Sequence, residues 1–180
     1  MRDINKKNVC VIGGAGFLGS HLVDHLIEDR ECKVLVLDNL ITGLRKHINP
    51  EADFKWFDIR DKEVELAKIL VNHNITKLLK DNNIEYVFNY AAEPYIPECF
   101  ERPMHFFDIN ATSVLRVLNA CQIAGIQGLL QVSSAEIYGD MDGKIKETDP
   151  VTPHSTYGVS KVAADGLVQV RWREAGGPAI

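Results

Sequence analysis

A doubly wound parallel α/β sheet is the fold this sequence predicts, on three observations. Apolar β-rich runs alternate with longer stretches at helical period, the first run leads straight into a glycine-rich turn, and strand and helix candidates recur in strict order with little left over. The predicted strands cover residues 8–13, 33–38, 54–57, 86–90 and 129–133. Between and after them, helices are expected over 17–29, roughly 62–70, near 75–80, around 106–124 and from about 155 to 174. The stretch GDMDGKIKETDPVTP, residues 139–153, is rich in turn formers and charge and reads as a polar loop between a strand and a helix. Loops at the carboxyl ends of strands are where α/β proteins place their ligands.

At 180 residues the chain is sized for one domain with a real core, and a single domain spanning 1–180 is expected. With 46% hydrophobic and 25% charged residues it has the composition of an ordinary globular protein. Twenty Lys and Arg against 25 Asp and Glu give a formal net charge of −5, so no basic field is available to attract nucleic acid or anionic lipid. Cys10, Cys32, Cys99 and Cys121 are scattered, with no Cys-x-x-Cys pair and no His at ligand spacing, which reads as reduced thiols and no metal site. The N-terminus MRDINKKNV lacks the apolar segment of a secretory signal and no run reaches membrane-spanning length, so a cytoplasmic protein is expected.

GGAGFLGS, residues 13–20, reads as Gly14-x-Gly16-x-x-Gly19 or as Gly13-x-x-Gly16-x-x-Gly19. In either register one glycine makes the strand-to-helix turn, Gly16 lets backbone N–H groups approach a pyrophosphate, and Gly19 lets the helix pack closely on the sheet. The phosphates would lie at the positive end of the helix that starts near Phe17. No GK[ST] follows, which disfavours a triphosphatase P-loop. Asp38 ends the second strand 19 residues after Gly19, where a carboxylate accepts hydrogen bonds from a ribose and repels a 2′-phosphate; NAD is therefore expected over NADP. Asp58 ends the third strand, Ala91 and Ala92 follow the fourth, and Ser133 and Ser134 close the fifth, all on one edge of the expected sheet. Each has a plain structural use as well: the glycines make a tight turn, either aspartate caps one, and Ala-Ala packs.

Tyr157 and Lys161 are four apart in YGVSK and so share one face of a helix. An ammonium beside a phenol stabilises the phenolate, which makes a tyrosine so placed a base for an alcohol proton. Ser134, 23 residues before Tyr157, could hold the same substrate oxygen. On its own Tyr-x-x-x-Lys is also the spacing of many solvated helix pairs; the glycine loop, the strand-end serine and the α/β order together give it meaning.

In VIGGAGFLGSHLVDHL, LDNL, DIRD, YVFNYAAEP, DINATSVLRVLNAC, SSAEIYGD and TPHSTYGVSK the chain resembles the extended branch of the short-chain dehydrogenase/reductase superfamily, the NAD-dependent nucleotide-sugar epimerases and dehydratases. The likeness spans residues 9–174 and implies a Rossmann-like NAD-binding fold. It implies that Gly13, Gly16 and Gly19, with Phe17 and Leu18, hold the pyrophosphate, that Asp38 with Asn39 holds the adenosine ribose, and that Asp58 and Ile59 border the adenine. Ala91 and Ala92 would line the centre of the NAD site; Ser134, Tyr157 and Lys161 would be the catalytic triad, and Asn110 a structural asparagine. The implied chemistry is transient oxidation at C4 of a nucleoside-diphosphate sugar, with the cofactor tightly held.

The branch stays open in the sequence. Dehydratase-type members often carry Asp-Glu or Ser-Glu after the catalytic hydroxyl residue; here Glu136 matches as a candidate catalytic base and Ala135 does not. Residues 61–86 are longer than the family's usual link and read as a surface helical insertion, and the family's later strands and C-terminal substrate domain are not expected within these 180 residues. A fragment or shortened relative, with the fifth strand as a sheet edge, is therefore the expectation. Family members dimerise through a helix pair, for which Val114, Leu115, Val117, Leu118, Val162, Ala163, Leu167 and Val170 are candidate surfaces. Beside the enzyme stand two other readings, a non-catalytic NAD-binding module and a scaffold retained for protein interaction.

Overall fold

The computed structural model describes residues 3–60 and 73–174, and contacts among them group into two compact units. The first contains the residues up to Ala91 together with Arg116–Gln131; the second contains Ala92–Leu115 and the residues from Val132 onward. The helix expected over 62–70 lies outside the described residues.

The first unit holds the whole sheet. Strands β1 (Asn8–Ile12), β2 (Lys33–Asp38), β3 (Asp53–Trp56), β4 (Tyr86–Asn89) and β5 (Gly128–Gln131) run parallel in the order β3-β2-β1-β4-β5. β1 is almost wholly apolar because its side chains are buried on both faces, Val9, Cys10, Val11 and Ile12 alike; in the sheet Val9 pairs with Val34 and with Tyr86, Val11 with Val36 and with Phe88. Val9, Val11, Val34 and Val36 form a core with Val23 and Leu26 of helix α1 (Phe17–Glu28). The strand order reverses between β1 and β4, the switch point where open α/β sheets bind ligands beyond the strands' carboxyl ends. Helix α2 (His73–Asp81) precedes β4. All four cysteines are buried and free; burial pushes the Cys10 thiol well up and the Cys121 thiol to about 12.

The second unit is helical. It contains the short helices α3 (Ile96–Cys99) and α4 (Pro103–Phe107), a π-helical turn at Asp108–Thr112, the start of helix α5 (Ser113–Ala124), a 3-10 turn at Ala135–Ile137 and the long helix α6 (Thr156–Glu174). The sequence reading of one helix over 106–124 thus resolves into three segments. The π turn between α4 and α5 has one local and one distant cause: the Ser113 hydroxyl donates back to the Ile109 carbonyl, and Asn110 turns inward to bond the backbone of Glu93, 17 residues earlier. Cys99, Phe106 and Tyr157 make a buried cluster that seats α6. No helix among the described residues is long and apolar enough to cross a membrane. Val114, Val117 and Leu118, expected as candidate dimer surface, are buried within the chain, which withdraws them from that role, whereas Val170 is exposed.

Candidate active site

In the first unit, the turn after β1 is built by glycines with different duties. Gly13 sits at φ +80°, and a Cβ there would meet the Ala91 backbone nitrogen at 2.7 Å, so both conformation and space demand glycine. A Cβ at Gly19 would lie 2.2 Å from the Gly13 carbonyl oxygen. Gly19 therefore lets α1 pack on the turn itself, not on the sheet as the spacing suggests. Gly14 faces Val36, with a Cβ position 2.9 Å from its Cγ1.

Gly16 differs from these three. It is the N-cap of α1 with ordinary extended angles, φ −76° and ψ 172°, and the nearest atom to a Cβ there is the Gly13 carbonyl oxygen at 3.3 Å. Little in the protein requires glycine at 16. No side chain caps α1 at this end and its first turn carries no acid, so the position combines an open approach with the helix's positive end. These residues fit a dinucleotide pyrophosphate. Phe17 and Leu18 are strongly exposed on the same turn, and Phe17 lines a cavity of about 380 Å³ with His21, His47 and Pro50.

Asp38 is buried at the end of β2, and its carboxylate accepts from the Ala15 N–H at 3.0 Å and the Leu40 N–H at 2.8 Å. It latches the glycine turn to the β2 end and caps its own turn, so the plain structural use is realised. Each oxygen retains a lone pair for a further donor. Asn39 accepts from Ile41 N at 3.1 Å and donates to Asp58 Oδ2 at 3.2 Å, while its carbonyl takes the Trp56 indole N–H at 3.1 Å.

Asp58 is more fully engaged than the sequence suggests. Arg60 reaches it through Nε at 3.0 Å, Nη2 at 2.6 Å and its own backbone N–H at 2.9 Å, and Asn39 completes the set. The hydrogen bonds from the Arg60 guanidinium dominate and hold the Asp58 carboxyl down to about 2. Ile59 beside it is buried. Ala91 donates to Asn89 Oδ1 at 3.3 Å, and Asn89 is tied to Gln131 at 2.7 Å.

In the second unit, Ser134 caps the 3-10 turn: its Oγ accepts from the Glu136 N–H at 3.2 Å, leaving its proton to donate elsewhere. Glu136 and Ala135 are exposed, and Ala92 is half-buried. Gly158 lets α6 approach that turn, since a Cβ there would lie 2.7 Å from the Glu136 carbonyl oxygen. Tyr157 and Lys161 stand one turn apart on α6, both buried. The Lys161 ammonium donates to the Val132 carbonyl at 2.5 Å. Burial pulls the Lys161 amine below its ordinary range, and Asp165 one turn on opposes this. Asn110 accepts from Glu93 N at 2.8 Å and donates at 3.1 Å to both the Glu93 carbonyl and Ser160 Oγ, a structural cross-link as expected.

Sequence reasoning missed the Arg60 clamp on Asp58 and the pairing of Ser133 with Asp165 at 2.5 Å. The Asp-x-Arg spacing and the Lys-x-x-x-Asp spacing after Tyr157 were the available signals. Among the described residues, no three His, Cys, Asp or Glu side chains gather as a metal site.

The profile of the NAD dependent epimerase/dehydratase family matches residues 9–180. A UDP-glucose 4-epimerase of Lacticaseibacillus casei is 37% identical over 161 residues, covering 89% of this chain and 45% of that protein. A dTDP-D-glucose 4,6-dehydratase of Mus musculus is 29% identical over 177 residues, 97% of this chain and 48% of that one. Among solved structures, the Thermus thermophilus UDP-glucose 4-epimerase in complex with NAD superposes with a TM-score of 0.84 at 32% identity, over 94% of this chain and 52% of its own. The chain spans about half the length of the curated relatives it matches. The five-stranded parallel sheet, the glycine turn at its switch point and this profile agree: the chain belongs to the NAD dependent epimerase/dehydratase family.

Proposed function

We propose that this chain binds NAD and serves a nucleotide-sugar epimerase or dehydratase that works through transient oxidation of the sugar at C4. The observation that carries the reading is the pair Tyr157 and Lys161, buried one turn apart on α6, with Lys161 bonded to the carbonyl two residues before Ser134. When bound, NAD supplies reversible oxidation of the sugar carbon.

The protein's own residues have separable tasks. The turn at Gly13, Gly16 and Gly19 and the first turn of α1 receive the pyrophosphate, with Phe17 and Leu18 flanking it. Asp38 and Asn39 take the adenosine ribose, Asp58 and Ile59 border the adenine, and Ala91 and Ala92 leave room for the nicotinamide half. Tyr157 takes the proton of the sugar hydroxyl, the Lys161 ammonium stabilises the negative charge that develops on the phenol oxygen, and Ser134 donates to the substrate oxygen. Glu136, exposed on the turn after Ser134, is the candidate base for a dehydration branch; Ala135 in place of an acid favours epimerisation. A nucleoside-diphosphate sugar is the substrate, and a second copy is the partner, through the face of α6 that exposes Val159 and Val170. A clean monomer by sedimentation at tens of micromolar (order of magnitude) overturns that last point.

The test compares the wild type with Tyr157→Phe, using mass spectrometry for retained NAD and, for turnover, conversion of UDP-glucose or dTDP-glucose to the 4-epimer or to the 4-keto-6-deoxy sugar. Retained NAD in both, with turnover lost only in the variant, is expected. NAD in both without turnover in either makes the chain an NAD-binding module, and a folded wild type that binds no NAD removes the reading altogether.

A further inference from the structure

α6 carries Tyr157, Lys161 and Asp165 at four-residue spacing, so the three form one stripe along the helix. Two of them reach the segment that leads into Ser134. Lys161 Nζ donates to the Val132 carbonyl at 2.5 Å, and the Ser133 hydroxyl donates to Asp165 Oδ2 at 2.5 Å. The two residues before Ser134 are thus each tied to the helix that bears Tyr157 and Lys161. Beyond them, Ser134 is held on its other side as the cap of the 3-10 turn. This short stretch beyond the end of β5 is thus bonded to the helix at two successive residues.

We propose that Asp165 is a positioning residue: through Ser133 it sets Ser134 relative to Tyr157 and Lys161, and through its charge it keeps the buried Lys161 a cation. The proposal rests on the reading of Ser134, Tyr157 and Lys161 as the reacting groups, but the clamp it describes exists without ligand.

Lys161 is 2% exposed, a placement that is costly for an ammonium unless a negative charge is near. Asp165 is half-buried, and burial pushes its carboxyl up while Ser133 and Lys161 pull it back down. The direct partner of Lys161 is the Val132 carbonyl, and the Asp165 carboxylate, one turn on and held by Ser133, adds a negative charge beside it. A carboxylate kept in such a position for stability alone would be better replaced by an amide, which still accepts from Ser133 and carries no charge to desolvate. The structure therefore separates two functions that two variants isolate. Asp165→Asn removes the charge and keeps the hydrogen bond; Ser133→Ala removes the hydrogen bond and keeps the charge.

The experiment uses the full chain, labelled with 13C-lysine and 15N. Its readouts are the 13Cε resonance of Lys161, assigned by its disappearance in Lys161→Arg, and amide hydrogen exchange at residues 134–137. Thermal melting checks the fold, and NADH fluorescence checks the cofactor reading separately. In Asp165→Asn, at unchanged Tm, the Lys161 resonance is expected to move towards the neutral-amine position, with about a threefold or greater rise in the neutral fraction at mildly alkaline pH. In Ser133→Ala, exchange at 134–137 is expected to speed by about tenfold while β1 amides stay as they were, and Ser133→Thr, which keeps the hydroxyl, restores protection. A Lys161 resonance unmoved in Asp165→Asn, or exchange at 134–137 unchanged in Ser133→Ala, overturns the proposal even where NADH binds. A chain that shows both effects but binds no NADH sustains the clamp and removes the cofactor reading instead. If Asp165→Asn melts early, Asp165→Glu replaces it, with retention of the wild-type Lys161 signal expected and its loss counting against the charge role.

Discussion

Replacing Gly16 by alanine separates what the protein needs from what its ligand needs. The angles at Gly16, φ −76° and ψ 172°, suit any residue, so the substitution restricts the unfolded chain at no conformational cost to the folded one, a gain of roughly 0.4–1 kcal/mol. Against this stand a loss of roughly 0.5–1 kcal/mol, because alanine is a much poorer N-cap than glycine, and a 3.3 Å contact with the Gly13 carbonyl oxygen. Net stability should stay within about 1 kcal/mol of wild type. The methyl, however, stands where a phosphate must come to meet the N–H groups of the first turn of α1. NAD affinity should fall by about tenfold or more, roughly 1.4 kcal/mol per decade. Gly19→Ala is the control: its Cβ would lie 2.2 Å from a carbonyl oxygen, and the cost should exceed roughly 4 kcal/mol in folding. The assay pairs urea denaturation with isothermal titration of NAD. A folded Gly16→Ala chain that binds NAD within about twofold of wild type would refute the assignment of the pyrophosphate to this turn.

Three further outcomes follow from the geometry. Asp58 is held down to about 2 from an unfolded value of 3.8, and its contribution, about 1 kcal/mol once solvent screening of a partly exposed pair is allowed for, is present above pH 3.8 and lost as pH falls through 2. By pH 3 roughly half of it should be gone, and urea midpoints of Asp58→Asn should lack that acid-side loss. Asp38→Ala leaves the buried Ala15 N–H and the Leu40 N–H without their acceptor, and calorimetry should show destabilisation of roughly 2–4 kcal/mol. Asn110→Leu strands the Glu93 backbone and breaks the bond to Ser160, and denaturation should show a loss of about 3 kcal/mol or more, an outcome under 1 (roughly the surface-substitution range) refuting the cross-link.

Legibility in the sequence follows the range of the interaction. β1 and α1 were readable because burial on both sides imposes an apolar run and a helix face imposes its period, and Gly13, whose φ of +80° only glycine takes easily, marks itself. Strand ends were overrun by a residue or two: β5 stops at Gln131, and the next carbonyl, that of Val132, bonds a lysine 29 positions away. The π turn escaped because one of its two causes, the bonding of Asn110 to the Glu93 backbone, spans 17 residues and leaves no periodic trace. Asp58 shows that limit only in part: the bond from Asn39 comes from 19 residues away, but the Arg60 clamp is two residues off, a local Asp-x-Arg spacing that was legible and passed over. Tyr157 and Lys161 were found because their relation is local to one helix; the Val132 carbonyl that holds Lys161 lies 29 residues away and left no such trace.

The buried, alkaline-shifted thiols give the chain a practical property. At pH 7 a thiol held near 12 carries on the order of a thousandth of the thiolate of a free cysteine, and only the thiolate attacks maleimides or disulfides. Cys10 shares that suppression, and Cys32 and Cys99 are shielded by burial. A single cysteine introduced on the surface, at exposed Phe17 or Val170 for example, would therefore react first and nearly alone. Fluorophores or spin labels could report on the glycine turn and on α6 with all four native cysteines left in place.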